Sequence, residues 1–421
     1  MTTVGGADAT ENGTTPERGT GPAHGPVDRP EPVDRRRPVD ERRPVDQRAP
    51  APRTVTAHTT APAPESAHGA ATAAERGGVR RMPLAVGLPV GAVALLVAVV
   101  VSFGVGPIDL SPGVVLSVLA ERTLGVGAGE DRLSTSVVWN LRTPRVLFAA
   151  LTGAALAVSG AALQSLFRNP LADPGIIGVS GGASAGAVTA IVLTPPVASA
   201  ATGWLVPASA FLGGLLATAV IYLLARPGRS AGTSRLLLVG IAIGSGFAAL
   251  TGFFTFVADD EELETIVFWQ LGSFARIDWL RLGLVAAPIL AGIAVVLVLH
   301  RRLDMLTLGE RQAQHLGLNV RAARGTIVAV TALLTGACVS FAGTIGFVGL
   351  VVPHIVRLAF GPAHRAVLPL SALLGGLLLV VADTAARTVA PPAEVPIGVF
   401  TAALGAPFFL WLVLRSREVR I

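Results

Sequence analysis

The sequence contains no lysine, so its basic residues are arginines and histidines alone. A P-loop ATPase uses a lysine in the motif G-x-x-x-x-G-K-[ST] to reach the nucleotide phosphates. The chain therefore cannot hydrolyse ATP by that route on its own. The single cysteine, Cys338, excludes an internal disulfide, and its apolar surroundings indicate a small buried residue.

Charged residues are also scarce, at 14%, whereas hydrophobic residues make up 52% and the mean hydropathy is +0.64. This composition excludes a chain of ordinary soluble domains and indicates an integral membrane protein. Glycine is abundant, with 48 residues, which suits helices that pack closely in lipid. The net charge of +6 is therefore no sign of nucleic-acid binding.

Large apolar side chains are rare in residues 1–81, so we expect a disordered tail rich in proline and arginine. Pro-Val-Asp recurs there with a period of six, which is typical of a flexible spacer, although a binding array is the alternative. The chain opens with no apolar signal-peptide core, which predicts that the tail is cytoplasmic and retained. Residues 82–421 are predicted to form the transmembrane domain.

Apolar runs long enough to cross a bilayer, which takes about 20 helical residues, follow one another after the tail. The seventh and eighth runs are nearly continuous but too long for one crossing, so a glycine-containing turn is expected between them. The prediction is an all-α polytopic fold of about ten transmembrane helices: Pro83–Val105, Pro144–Leu166, Ile176–Leu193, Trp204–Leu224, Leu236–Val257, Leu280–Leu299, Gly325–Phe341, Gly343–Leu358, Val367–Thr384 and Pro396–Leu414.

Arginine is distributed unequally between the loops on the two sides of these helices, and the arginine-rich side is expected to be cytoplasmic. Both termini are then cytoplasmic, which agrees with an even number of helices. The arginine-rich side carries Arg76, Arg80, Arg81, Arg168, Arg226, Arg229, Arg235, Arg301, Arg302, Arg311, Arg321, Arg324, Arg357, Arg365, Arg415, Arg417 and Arg420, and the other side Arg122, Arg132, Arg142, Arg145, Arg276, Arg281 and Arg387.

The arginine-rich loop between the sixth and seventh predicted helices contains a segment that favours a short helix. It runs from Glu310 to Leu316 and is ended by Gly317. Ala313 and Leu316 give it an apolar face that could dock in a groove of a soluble partner. A plain interfacial helix is the alternative that the pattern leaves open.

Five segments occur in an order that resembles the membrane permeases of the iron-siderophore and cobalamin importer family. The resemblance covers roughly residues 82 to 421, which is all of the chain except the tail. The segments are Leu141–Val146, Arg168–Gly175, Gly309–Gly317, Gly346–Arg357 and Pro396–Pro407.

This resemblance implies a non-catalytic, multi-pass permease subunit of an ATP-binding-cassette importer in a bacterial plasma membrane. The implied partners are a second permease subunit, identical or homologous, two ATPase subunits that hold ATP and magnesium, and an extracytoplasmic substrate-binding lipoprotein. The family's base rate favours a ferric siderophore as substrate, with cobalamin or haem as alternatives. No cofactor or metal is expected on this chain itself.

The resemblance also implies roles for particular residues at the arginine-rich side. Asn169 and Leu171 resemble one part of the family's cytoplasmic gate, and Thr233 with Ser234 the other. A purely structural turn at the first pair and an N-cap at the second are the alternatives. The loop that contacts the ATPase would contain Gly309, Glu310, Ala313, Leu316 and Gly317.

On the other side, the resemblance implies that Arg142, Arg145 and Arg387 are exposed and meet glutamates of the substrate-binding protein. Such charges steer association and fix the register of a partner. The alternative for Arg387 is an ion pair with Asp383, four residues earlier on the same helix face.

Two functions of other classes are alternatives to the importer. An ion-coupled carrier needs ion-binding groups near mid-membrane, and Asp383 is the one clear carboxylate inside a predicted helix. An embedded enzyme needs a nucleophile beside a base, or a metal cluster, and the sequence pattern shows neither. His354 is expected to be a packed side chain rather than a metal ligand.

Overall fold

The computed structural model describes residues 82–126, 129–195, 199–225 and 232–417. The predicted tail, residues 1–81, lies outside this part of the chain. The helices are α1 (Leu84–Gly104), α2 (Pro112–Leu124), α3 (Arg132–Thr135), α4 (Thr143–Phe167), α5 (Val179–Leu193), α6 (Ser199–Ala225), α7 (Gly232–Val257), α8 (Asp260–Leu271), α9 (Trp279–Val298), α10 (His300–Thr307), α11 (Glu310–His315), α12 (Val320–Ala342), α13 (Val348–Phe360), α14 (His364–Thr388) and α15 (Ile397–Arg417).

The predicted polytopic helical fold is confirmed over the described residues. Seven helical stretches are long and apolar enough to cross a membrane, with α3 and α4 joined in one of them. Three shorter apolar helices, α5, α13 and α15, complete the predicted order. The helices α2, α8, α10 and α11 lie in the connections between these spans.

The second predicted membrane helix begins earlier than Pro144, which corrects its boundary. Asp131 caps α3 by accepting the N–H of Ser134, and a π-helical segment, Ser136–Arg142, then joins α3 to α4. The two helices and this segment form one stretch of 36 residues. Pro144 falls directly after the π-helical segment, where the regular α-helical hydrogen-bond pattern is already interrupted and a proline is tolerated.

The expected turn between the seventh and eighth predicted helices lies at Gly343–Phe347. Gly343 has φ of +73°, and a Cβ added to it would stand 2.0 Å from the carbonyl oxygen of Trp269. Glycine alone fits that position without a clash. Helix α13 then begins at Val348, five residues later than the predicted Gly343 start.

Helix α4 lies at the centre of the fold. In the most hydrophobic part of its membrane span 78% of the residues are buried, compared with 6% in α1. Helix α4 is therefore the core helix, and α1 faces outward. Gly153 of α4 packs against the backbone of Gly375 in α14, and Gly160 packs against Gly349 in α13. These small residues let the helix backbones approach closely, as expected for packing in lipid.

The helices bring the loops together at two ends. We call the end that contains α10, α11, the start of α14 and the turn after α4 the arginine-rich end. We call the end that contains α2, α3, α8 and the last turn of α14 the opposite end. The side of the membrane that each end faces stays a prediction.

Candidate functional site

The short helix predicted at the arginine-rich end is present as α11, Glu310–His315. Two glycines with positive φ bound it, Gly309 at +109° and Gly317 at +84°. Residues with a Cβ rarely adopt these backbone angles, so the glycines fix where the helix begins and ends. The contact of this helix with an ATPase stays a prediction.

Two apolar side chains that flank helix α11 are exposed among the described residues. Ala313 is fully buried against the body of the fold, whereas Leu308 and Leu316 are each 59% exposed. Leu308 precedes the helix and Leu316 follows it, so the two leucines flank it. Exposed apolar side chains at a loop are typical of a surface that binds another protein.

Helix α11 is also fixed to the helices behind it. The Glu310 carboxylate accepts a hydrogen bond from the Arg324 guanidinium on α12, whose side chain is 4% exposed. A Cβ added to Gly309 would lie 3.5 Å from Nη1 of Arg168, the residue that ends α4. Glu310 therefore anchors α11 inward, and the two leucines form its outward surface.

The turn after α4 contains the first predicted gate residues. The side chain of Asn169 accepts the N–H of Leu171 at 2.9 Å, and Asp173 accepts the N–H of Gly175 at 2.8 Å. Burial raises the pKa of the Asp173 carboxyl, and the Gly175 N–H opposes that shift. The structural turn is thus present, and Leu171 is 38% exposed beside it. The gating role of Asn169 and Leu171 stays a prediction.

The second predicted gate pair, Thr233 and Ser234, lies in the first turn of α7. Because this helix already begins at Gly232, the alternative that the pair N-caps a helix starting at Arg235 is wrong. The side chains of the pair lie outside the described residues. Gly240 of the same helix packs against the Ile176 carbonyl, so α7 adjoins the segment that follows α4. The gating role of Thr233 and Ser234 also stays a prediction.

At the opposite end, the three predicted docking arginines are buried. Arg142, Arg145 and Arg387 are 5%, 7% and 3% exposed, which corrects the expectation that they project from the surface. Arg142 donates hydrogen bonds to the carbonyl oxygens of Phe103 and Gly104 at 2.7 and 2.9 Å. Carbonyls at the C-terminus of a helix lack partners within it, so Arg142 completes the end of α1.

The other two arginines share the carboxylate of Asp383, which is fully buried. Arg145 Nε lies 2.8 Å from Asp383 Oδ1, and Arg145 Nη1 lies 2.7 Å from Glu394 Oε1. Arg387 Nε lies 3.1 Å from Asp383 Oδ2, which confirms the pair expected from the four-residue spacing. Asp383 is therefore already neutralised, which weakens the ion-coupled alternative because such a carrier needs a carboxylate free to bind its ion.

A cleft of about 230 Å³ opens over these charges. Arg142, Arg145, Arg387 and Glu394 line it together with apolar residues that include Leu141. Its arginines are thus reachable through a recess rather than from a flat surface. Their contact with a binding protein stays a prediction.

Among the described residues, the structure bears on the predicted absence of a metal site and on the predicted packing of His354. No group of three or more His, Cys, Asp or Glu side chains there is arranged to hold a metal ion. The ring of His354 packs edge-on against Phe408, with 6.2 Å between the ring centroids. This packed position is the one expected from the sequence.

The expectation that no nucleophile stands beside a base is wrong. The structure places Ser165, at the end of α4, against His364, which in turn contacts Asp304. Because 199 positions separate Ser165 from His364 and 60 separate His364 from Asp304, no local spacing signals the contacts.

Comparison with known proteins gives consistent matches over the helical domain. The sequence model of the FecCD transport family matches residues 94–415. The hemin transport system permease protein HmuU of Yersinia pestis is 44% identical over 286 residues, which is 67% of this chain and 85% of HmuU. The vitamin B12 import system permease protein BtuC of Vibrio cholerae is 43% identical over 312 residues, which is 73% of this chain and 92% of BtuC.

A solved structure resembles the fold over the same region. It is described as an inward-facing conformation of an ABC transporter assigned to the metal-chelate type. The TM-score is 0.68 at 32% identity, and the match covers 78% of this chain and 98% of the solved one. The similarity therefore extends over nearly the whole of that protein.

Proposed function

The chain belongs to the FecCD transport family, and from this membership we propose that it forms the pathway through which an ATP-driven importer carries a ferric siderophore. As a member of this family it is a multi-pass permease subunit of the cell membrane, like the permeases it resembles. In the proposal, ATP is bound and hydrolysed by a separate subunit.

The observation that supports an ATPase partner best is the surface of α11. Leu308 and Leu316 are exposed, whereas Glu310 ties the helix to Arg324 behind it. An apolar surface on a rigid support can transmit a push from a partner into the membrane helices. We expect two ATPase subunits, one for this chain and one for a second permease subunit.

The opposite end supports a partner of acidic character. The cleft over Arg142, Arg145 and Arg387 offers recessed positive charge. A glutamate of a binding protein would enter the cleft and compete with Glu394 for Arg145, which currently holds both Glu394 and Asp383. With this end outside the cell, both termini of the chain are cytoplasmic.

The substrate proposal rests on the base rate of the family, which favours a ferric siderophore; the metal-chelate type of the solved structure fits a ferric siderophore, hemin and cobalamin alike. Hemin is the second candidate because HmuU is named for hemin transport, and cobalamin is the third because BtuC is named for vitamin B12 import. All three are bulky chelates that must pass without release of the metal. The chain needs no metal ligands of its own to carry any of them.

The test measures uptake in cells that lack this gene. Radiolabelled ferric siderophores, hemin and cobalamin are offered after complementation with the wild type, with Leu308→Ala/Leu316→Ala, or with Leu133→Ala. Leu133 is a matched control because it is 61% exposed but lies at the opposite end, on α3.

We expect uptake of one ferric siderophore to require the gene, to be restored by the wild type and the Leu133 variant, and to fall roughly tenfold in the double variant. Loss of hemin or cobalamin uptake instead would reassign the substrate. Equal uptake by the double variant and the control would contradict the docking role of α11.

A further inference from the structure

A buried polar chain joins three helices at the arginine-rich end. Ser165 Oγ of α4 lies 2.5 Å from Nε2 of His364, the first residue of α14. Nδ1 of the same imidazole lies 2.6 Å from Oδ1 of Asp304 on α10. Ser165 is 3% exposed and His364 is 1% exposed, whereas the Asp304 side chain is 43% exposed. These three hydrogen-bonded side chains thus run from the surface of α10 to the core helix, α4.

The Asp304 carboxylate holds α14 in two ways. It accepts the backbone N–H of His364 at 3.1 Å as well as the imidazole Nδ1–H. The N-cap residue of α14, Ala363, has no side chain that could accept these hydrogens. Because an ionised carboxylate only accepts, Nδ1 carries a hydrogen, and Nε2 is directed at the Ser165 hydroxyl.

The order serine, histidine, aspartate is also that of a hydrolase triad. Here, however, the serine hydroxyl is buried and stands 3.0 Å from the carbonyl of Ala161 in its own helix. The guanidinium of Arg357 approaches it at 3.4 Å from another side. A nucleophile must come within about 3 Å of a substrate carbon, and this hydroxyl is enclosed by the protein. The geometry therefore favours a structural link over catalysis.

The location of the link connects the two parts of the proposed machinery. Helix α10 ends at Thr307 and leads directly into α11, the predicted docking helix. Ser165 lies in the last turn of α4, four residues before Asn169 in the predicted gate turn. Hydrogen bonds depend on angle as well as distance and so fix the relative position of two helices, whereas apolar contacts are non-directional.

We propose that Asp304, His364 and Ser165 are positioning residues that transmit the movement of α10 and α11 to the gate turn after α4. The inference rests on the proposed function, in which an ATPase subunit moves α11. When α10 shifts, Asp304 draws the start of α14 and the end of α4 with it. Transport and ATP hydrolysis are coupled through this link.

The test uses the complete importer, purified with its ATPase and binding protein and reconstituted in lipid vesicles. The amount of radiolabelled ferric siderophore transported per ATP hydrolysed is measured for the wild type, Ser165→Ala, Asp304→Ala and the conservative Asp304→Asn, whose amide oxygen still accepts. Asp278→Ala is the matched control, because Asp278 also accepts a helix N–H, that of Arg281 at 2.8 Å, but at the opposite end.

We expect Ser165→Ala and Asp304→Ala to lower transport per ATP roughly tenfold, a size typical of coupling between sites, while ATP hydrolysis stays within about twofold. Asp304→Asn should recover most of the ratio, and Asp278→Ala should leave it unchanged.

An unchanged ratio in both alanine variants, or a joint fall in hydrolysis and transport, would overturn the link. Labelling of wild-type Ser165 by a fluorophosphonate would also overturn it, in favour of hydrolase chemistry. A wild-type importer without ATP-dependent transport would overturn the proposed function itself and the link with it.

Discussion

Arg145 organises the charges at the opposite end. Its guanidinium lies between the carboxylates of Asp383 and Glu394, which come from the end of α14 and the segment after it. A buried charge is tolerated only when it is paired and hydrogen-bonded. Removing Arg145 would leave Asp383 with Arg387 alone and would leave Glu394 without the guanidinium that lies 2.7 Å from it.

We expect Arg145→Met to lower the free energy of unfolding by about 3 kcal/mol or more, since the substitution breaks a buried ion pair. The measurement is unfolding of the purified protein in mixed micelles with increasing denaturing detergent. Arg122→Met is the control, because Arg122 is an exposed residue of α2 and its loss should cost less than about 0.5 kcal/mol. Equal stability of the two variants would show that the buried network contributes little.

At this scale the sequence predicts contacts only where the chain spacing reveals them. The Arg387–Asp383 pair follows from a spacing of four residues on one helix. The Arg145–Asp383 pair joins residues 238 positions apart, so helix packing has to be known first. The burial of Arg142, Arg145 and Arg387 also depends on helix packing, so the sequence could not predict it.

The contact between α4 and α14 shows how the helices pack. A Cβ added to Gly153 of α4 would stand 2.0 Å from the carbonyl oxygen of Gly375, which belongs to the backbone of α14. A backbone carbonyl cannot rotate away as a side chain can. The helices must therefore separate to admit even one methyl group.

We expect Gly153→Ala to destabilise the protein by about 1–3 kcal/mol through overpacking. Gly283→Ala is the matched control, because nothing lies within 4 Å of a Cβ added at Gly283 in α9. There alanine should be neutral or should stabilise the helix by up to about 1 kcal/mol. Unfolding in mixed micelles measures both. A Gly153 variant as stable as the Gly283 variant would contradict the close approach of α4 and α14.

In the described part of the chain, seven membrane helices could be predicted because their apolar stretches are long enough to cross a bilayer, whereas α5, α13 and α15 are shorter and were predicted from their apolar composition. Their ends were less predictable where polar residues are helical or where an apolar residue leaves the helix. Arg132 opens the stretch that continues through the π-helical segment into α4, although it is charged. Phe347 is apolar but has φ of +67°, so α13 cannot begin before it. The end of helix α11 was predictable because Gly317 follows it, whereas the positive φ of Gly309 at its start is seen only in the structure.

The whole molecule is expected to place its arginine-rich end in the cytoplasm. This can be tested with single cysteines at Leu316 and Leu133, which are similarly exposed at the two ends. The native Cys338 is buried and is replaced by alanine in both variants. A membrane-impermeant maleimide should label Leu133→Cys in intact spheroplasts and should label Leu316→Cys only after the membrane is opened. The reverse pattern would invert the predicted topology.

At the scale of the assembly, we propose that this chain moves a ferric chelate with energy supplied by a separate ATPase. The most direct measurement reconstitutes the purified chain with its ATPase and binding protein in vesicles and follows uptake of a radiolabelled ferric siderophore. We expect accumulation that requires ATP, magnesium, the ATPase subunit and the binding protein together. Accumulation driven by an ion gradient in vesicles that contain only this chain would contradict it.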